Sequence, residues 1–265
     1  LQIVYLGEYL HTIGEEMKGK INRLIGSWRK GTVKTSASFR ADGYSDSLIA
    51  RYVNSKWIES IGFGAYKLYE DRIDWYGALY ALQRELKSSI HVGGKSALQL
   101  RGLAHNIPGK LKKIELYHND VNVLPKWFLE YKWSVELSIT KTVKCGDAGR
   151  FLSEIELDGI KIKAAVPELA IMEMLLKAPE DESYNEANLI MAGLLTLRPK
   201  FVTDVLMECK SVKAKRLFLH LAEKNNHTWL RRIELSKVNL GRGKRQIVKN
   251  GVFDPKYLIT VPKEK

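Results

Sequence analysis

Between residues 18 and 69 the chain interrupts its apolar pattern so often that few folds can accept it. Residues 18–27 (KGKINRLIGS) carry Ile21, Leu24 and Ile25 at helical spacing, enough for a short amphipathic helix ending near Gly26. Thr35 and Ser36 then precede ASFRADG, barely two helical turns, and Asp42-Gly43 is the left-handed-prone pair expected after a helix C-terminus. Ser45 is placed to cap a third helix over SDSLIARYVNSKW, in which Leu48, Ile49, Tyr52 and Val53 form one apolar stripe. Two short helices across a glycine-containing turn make a helix-turn-helix. WIESIGFGAYKLY then alternates apolar and polar residues on either side of Gly62-Phe63-Gly64, the pattern of a β-hairpin with its turn at the glycines. The sum is a winged helix-turn-helix over residues 17–75. Against a DNA-binding reading stands the fact that short helices with a hairpin serve many purposes, since fold alone does not fix function.

The remaining chain changes character twice. Asp74 opens DWYGALYALQREL, a helical pattern marked by Leu79, Leu82 and Leu86. SSIHVGG reads as a strand, KSALQLRG as a helix and KKIELYH as a strand. Strand-like runs recur at 133–140, 151–157 and 160–166, the last two joined by the hairpin pair Asp158-Gly159. From Pro167 onward PELAIMEMLLK, NEANLIMAGLLTL, PKFVTDVLMECK and SVKAKRLFLHLAEKN are apolar-striped helices, with Pro167 and Pro199 suited to a first helical turn. The tail returns to strand propensity. A length of 265 residues suits two domains, and the expected fold is α+β: the winged domain, then a larger domain over 76–265 of mixed β-sheet and helices. Residues 1–16 precede the first strongly patterned element and are expected to be a leader or an over-called start, with a DNA-contacting arm as the alternative.

With 45% hydrophobic and 28% charged residues, and no apolar run of membrane-spanning length, the composition is that of a soluble globular protein. Cys145 and Cys209 lie far apart without a CxxC pair or a histidine cluster, so neither a disulfide framework nor a zinc site is indicated and a reducing cytoplasm fits. The net charge of +13 is unevenly spread: +3 over residues 1–90, 0 over 91–199 and +10 over 200–265. A basic surface of that size attracts polyanions, nucleic acid first and an acidic partner second; a merely solubilising excess is the plain alternative.

If Leu48, Ile49, Tyr52 and Val53 face a core, Ser45, Ser47, Arg51, Asn54 and Ser55 face outward. Arg and Asn are suited to bidentate contacts with guanine and adenine edges, and Lys56 and Lys67 could hold phosphates. Outward Arg and Asn are also normal on any solvated helix. Gly241-Arg242-Gly243-Lys244-Arg245 places three cations in five residues, beside glycines that permit close approach to a phosphate chain. Two enzymatic readings have plainer alternatives. GGKS at 93–96 lacks the glycine that a P-loop needs five residues earlier, a position held here by Ser89, so a strand-to-helix turn is its use. Glu154, Glu156 and Asp158 beside Lys161 and Lys163 suggest a metal-dependent nuclease centre, but on a tight hairpin with alternating faces they are better explained as exposed charges. The histidines show no HExxH or other ligand spacing, and no cofactor or metal is expected.

Several phrases together carry a resemblance: SWRKGTV, ARYVNSKWIESIGFGAYKL, DWYGALYALQ, HVGGKSALQLRGLAH, LPKWF and LGRGKRQIVKNGVFDPKYLITVP. In order and spacing, from about residue 17 to the end, they resemble the AbiEi family of type IV toxin–antitoxin antitoxins and transcriptional regulators. The resemblance implies a non-enzymatic protein whose winged domain binds inverted repeats in its own promoter and whose C-terminal domain provides antitoxicity. Its functional partner would be an AbiEii-type nucleotidyltransferase toxin, counteracted without a stable complex. Carried over by position, Arg51 and Asn54 fall in the recognition helix, Gly64 and Tyr66 in the wing, and Arg242, Lys244 and Arg245 in the basic C-terminal motif. The competing readings are a metal-dependent nuclease or other nucleic-acid enzyme, and a plain repressor with a ligand-sensing C-terminal domain. Operator sequence, oligomeric state and the route of neutralisation stay open at this level.

Overall fold

A computed structural model describes residues 19–104, 111–119, 124–141, 148–178 and 184–263. The expected leader at 1–16 and Cys145 lie outside these. The chain divides into two compact units, one of residues up to Ala81 plus Leu124–Tyr131, the other of Leu82–Val123 and Lys132–Lys265.

The first unit is built on Phe39. Helix α1 (residues 19–27) turns Ile21 and Leu24 inward, and a two-residue strand β1 (Lys34–Thr35) leads into α2 (Ser36–Ala41). Thr35 caps α2 by accepting a hydrogen bond from the Ser38 amide, satisfying one of the amides a helix start leaves unpaired. The rings of Trp28, Tyr44 and Tyr66 meet the fully buried Phe39 edge-on at 5.6, 5.7 and 5.6 Å, the arrangement aromatic quadrupoles prefer. Helix α3 (Asp46–Asn54) adds Ile49 and Tyr52 to this core, with Leu48 and Val53 packed against its edge. Strands β2 (Ile58–Gly62) and β3 (Ala65–Leu68) form the hairpin, and β1 pairs with β3 to complete a three-stranded antiparallel sheet of order β1-β3-β2. This is a winged helix-turn-helix.

Helix α4 (Trp75–Arg84) starts on Asp74, whose carboxylate accepts from the Trp75 amide at 2.7 Å. Gly77 on this helix lies so close to Gly31 that an added Cβ would stand 1.8 Å from the Gly31 carbonyl oxygen. The first unit is also discontinuous in sequence. A short helix α5 (Gly94–Leu100) and strand β4 (His91–Val92) belong to the second unit, whereas the later helix α6 (Lys126–Glu130) belongs to the first, where Trp127 packs beneath Gly62 of the hairpin.

The second unit contains a mixed five-stranded sheet of order β6-β5-β4-β8-β7, with β5 (Lys113–His118), β6 (Glu136–Lys141), β7 (Leu152–Leu157) and β8 (Ile160–Ala165). The β7–β8 turn falls at Asp158-Gly159, both with positive φ (45° and 78°), as a tight hairpin turn of this kind requires. Helix α7 (Pro167–Leu176) is buried around its whole circumference, including Glu168 and Glu173, and is thus a core helix. Around it lie α8 (Tyr184–Gly193), α9 (Pro199–Glu208) and α10 (Val212–Lys224), with Pro167 and Pro199 in first turns, where a missing amide hydrogen costs nothing. The C-terminal residues form a small sheet of β9 (Arg245–Gln246), β10 (Val252–Asp254) and β11 (Ile259–Val261), ordered β10-β11-β9. Among the described residues no helix is long and apolar enough to cross a membrane. The fold is the α+β one expected, a winged N-terminal domain followed by a larger mixed domain.

Candidate nucleic-acid interface

The outward side of α3 carries what the apolar stripe leaves over. Ser45, Ser47, Arg51, Asn54, Ser55 and Lys56 are all exposed. Ser45 is partly committed: its hydroxyl accepts from the Leu48 amide at 3.3 Å as the helix N-cap and lies 3.0 Å from the Ser47 hydroxyl. Asp46 is held by Arg40 at 3.0 Å, which keeps a carboxylate on the same face from standing unpaired.

Both helices of the motif close in the same way. After α2 the amides of Gly43 and Tyr44 donate to the carbonyls of Arg40 and Phe39; after α3 those of Lys56 and Trp57 donate to Val53 and Tyr52. This two-bond closure needs a left-handed residue just past the helix, usually glycine. Gly43 takes it at φ 82°, but after α3 the position is Lys56, at φ 56°. Its ammonium stands 5.9 Å above the Tyr69 ring.

Lys67 has a different setting. Only 9% of it is exposed, and its ammonium pairs with Glu59 at 2.7 Å and donates to the Asp71 carbonyl at 2.9 Å. The alternation that assigns Lys67 to one strand face does not reveal that Glu59, its cross-strand partner, claims it first. It buttresses the wing from within, and a phosphate would have to displace Glu59 to reach it. Tyr66 likewise packs toward Phe39, while the Gly64 carbonyl accepts from the Ser36 amide at 2.9 Å and ties the wing to the start of α2.

GGKS is a strand-to-helix turn, as its spacing predicts. Gly93 caps α5, and the amides a phosphate would need are taken by internal carboxylates: Glu173 accepts from the Gly94 amide at 3.0 Å and Glu115 from the Lys95 amide at 2.7 Å. Glu173 also pairs with His91 at 2.8 Å, and Lys177 with Glu115 at 2.8 Å. This buried network was not legible in the sequence, where Glu173 passes for one polar residue on an apolar helix. On the β7–β8 hairpin, Glu154 and Glu156 stand opposite Lys163 and Lys161 and are exposed, and Arg84 binds Glu154 at 2.5 Å. Among the described residues no group of three or more His, Cys, Asp or Glu side chains is placed to hold a metal ion.

The basic C-terminal turn has an internal organiser that sequence reading missed. Arg216 of α10, 2% exposed, donates to the carbonyls of Leu240, Gly243, Leu258 and Gly241 at 2.9, 2.6, 3.3 and 3.1 Å. Gly241 and Gly243 have φ of 64° and 76°, and a Cβ on Gly241 would meet Val212 at 2.8 Å. The buried guanidinium thus folds the turn by its carbonyls, leaving Arg242 and Lys244 exposed and Arg245 half-buried. Lys244 lies 4.7 Å over the partly exposed Phe253 ring. Burial lowers the Arg216 pKa, and the nearby Arg245 adds to this. A cleft of about 450 Å³ at the start of α9 is edged by Arg198, Lys200, Arg232 and Lys237 together with Asp204 and Glu234, so its charge is mixed.

The RV2827C protein from Mycobacterium tuberculosis has a similar fold, with a TM-score of 0.58 and 16% sequence identity over 90% of this chain and 88% of that one. No curated protein matches the sequence. Residues 17–108 match the family described as "Transcriptional regulator, AbiEi antitoxin N-terminal domain", and residues 111–262 the one described as "Transcriptional regulator, AbiEi antitoxin, Type IV TA system". With the helix-turn-helix, its wing and the mixed second domain all in that order, the chain belongs to the AbiEi family of transcriptional regulators and antitoxins of type IV toxin–antitoxin systems.

Proposed function

We propose that the protein represses its own promoter by binding inverted repeats through α3 and the wing, and counteracts a nucleotidyltransferase toxin through its second domain. The observation that carries the DNA reading is the outward face of α3: Arg51 and Asn54 lie one turn apart, both exposed, on a helix whose opposite side is locked into the Phe39 core. One turn of separation suits contact with neighbouring base pairs in a major groove, where Arg reads guanine and Asn reads adenine. Ser47, Ser55 and Lys56 flank them as backbone contacts, with Ser45 chiefly a cap and Lys67 a support. The toxin assignment rests on family membership, and the exposed Arg242 and Lys244 with the half-buried Arg245 are the surface we assign to it.

A mobility-shift assay on the promoter DNA tests the first half. Replacing Arg51 and Asn54 by Ala should cost about 1–3 kcal/mol for each bidentate base pairing removed and flatten the preference for the repeats over scrambled DNA. Unchanged discrimination would remove these residues from the reading surface.

A further inference from the structure

The wing ends in an uncharged tip whose apex is bare. Phe63 is 99% exposed, while every other aromatic ring of the hairpin region finds at least partial cover. The turn itself has no use for a phenyl group: Gly62 and Gly64, at φ 151° and 73°, supply the backbone geometry, so Phe63 occupies a position that any small polar residue would fill.

That tip is also held firmly. The Ser60 hydroxyl donates to the Gly62 carbonyl at 3.1 Å and accepts from the Gly62 amide at 3.4 Å. Gly62 is pressed on Trp127 of α6, where an added Cβ would stand 2.7 Å from the Trp127 Cβ, and the Gly64 carbonyl is tied to Ser36. A braced apex carries its side chain into a partner with little further loss of chain entropy.

We propose that Phe63 is an apolar wedge that enters the minor groove of operator DNA and partly unstacks a base step. The inference rests on the DNA-binding reading above and adds a contact that reading does not need. Residues 60–66 (SIGFGAY) contain no cation, so the tip is not built to hold a phosphate; base edges and faces exposed by unstacking are the part of a duplex that accepts a phenyl ring. A second protein copy is a poor occupant, because one phenyl group falls far short of the ~1,000 Å² that a stable interface buries. The most deformable sites are pyrimidine–purine steps, and the wedge should select one of them.

The test uses the full chain and duplexes covering the inverted repeats upstream of its reading frame, with 2-aminopurine placed in turn at each TA or CA step. The unaltered protein should raise fluorescence at one step. Phe63→Ser should abolish that signal and weaken binding about tenfold, and Phe63→Leu, apolar and bulky, should keep most of both. If the unaltered protein binds the repeats and Phe63→Ser binds and unstacks equally, the wedge is wrong while the DNA-binding reading stands. If the unaltered protein does not bind the repeats at all, that reading fails and the wedge with it. Should Phe63→Ser instead shift the sedimentation coefficient of the DNA-free protein toward a smaller species, Phe63 is a protein contact and the proposal is overturned.

Discussion

At the residue scale, Lys56 separates stability from function. It holds a left-handed position at the end of α3 where glycine is favoured, while the equivalent place after α2 is filled by Gly43. Because that position works against the side chain's conformational preference, we assign Lys56 a phosphate contact as a hypothesis to be tested. Lys56→Gly should therefore leave stability unchanged or raise it by up to about 1 kcal/mol. The same change should lower the salt slope of DNA binding by roughly 0.9, the share of one phosphate contact. Urea melts and salt titrations of binding together check this, and a slope that did not move would take Lys56 off the phosphate path. Glu168 offers a pH test. Burial pushes its carboxyl up, but the Arg198 guanidinium (3.0 and 2.9 Å) and amide (2.8 Å) outweigh this and hold it below the usual glutamate range. A depressed folded pKa contributes stability that is present above the unfolded value of ~4.3 and is lost as pH falls through the folded one. Because Arg198 is half exposed, solvent screens its share of the attraction. Between pH 7 and pH 3 the urea midpoint of Glu168→Gln should fall less steeply than that of the unaltered protein; parallel lines would mean Glu168 is not a source of acid sensitivity.

At the scale of elements, close approach is what the glycines decide. Alanine normally gains ~1 kcal/mol over glycine inside a helix. At Gly77 the added carbon would stand 1.8 Å from a backbone oxygen with no side chain to yield, so Gly77→Ala should destabilise instead, by about 1–3 kcal/mol. Thermal or urea denaturation would show it, and a gain in stability would mean α4 can slide away from Gly31. Periodicity placed this helix, the motif's two helices and the hairpin, because each is a local pattern with its own start and stop residues. It missed α6 and β1, which are too short to show a period and exist because neighbours in space hold them: β1 pairs with β3, and Trp127 of α6 lies under Gly62.

For the whole molecule, the charge that sits in the last quarter should be separable from DNA reading. Neutralising Arg242, Lys244 and Arg245 together removes exposed or half-exposed cations but leaves Arg216, which organises the turn, in place. We expect the triple variant to fold normally, to keep most of its operator affinity, and to lose protection in cells that co-express the cognate toxin. Growth equal to that of the unaltered pair would show that this turn is not the antitoxin surface. Arg216→Met provides the contrast: it should lose stability, by about 1–3 kcal/mol in all for the part-buried carbonyls left without their donor, along with any function of the turn.

What the amino-acid order determined alone was everything written in short-range signals: the caps at Thr35 and Ser45, the stops at Asp42-Gly43, the hairpin turns at the glycines and Asp158-Gly159, and the apolar stripes. These depend on backbone conformations a few residues long, so they survive translation into a string. The outward residues on α3 follow from the same periodicity. The commitments of single polar side chains belong to the tertiary structure. Lys67 is engaged by Glu59, the α5 amides by Glu173 and Glu115, and the Gly241–Gly243 carbonyls by Arg216. Those pairings join residues up to 79 positions apart, and a buried charge or amide takes whichever partner the packing brings within hydrogen-bonding distance, which no local pattern encodes.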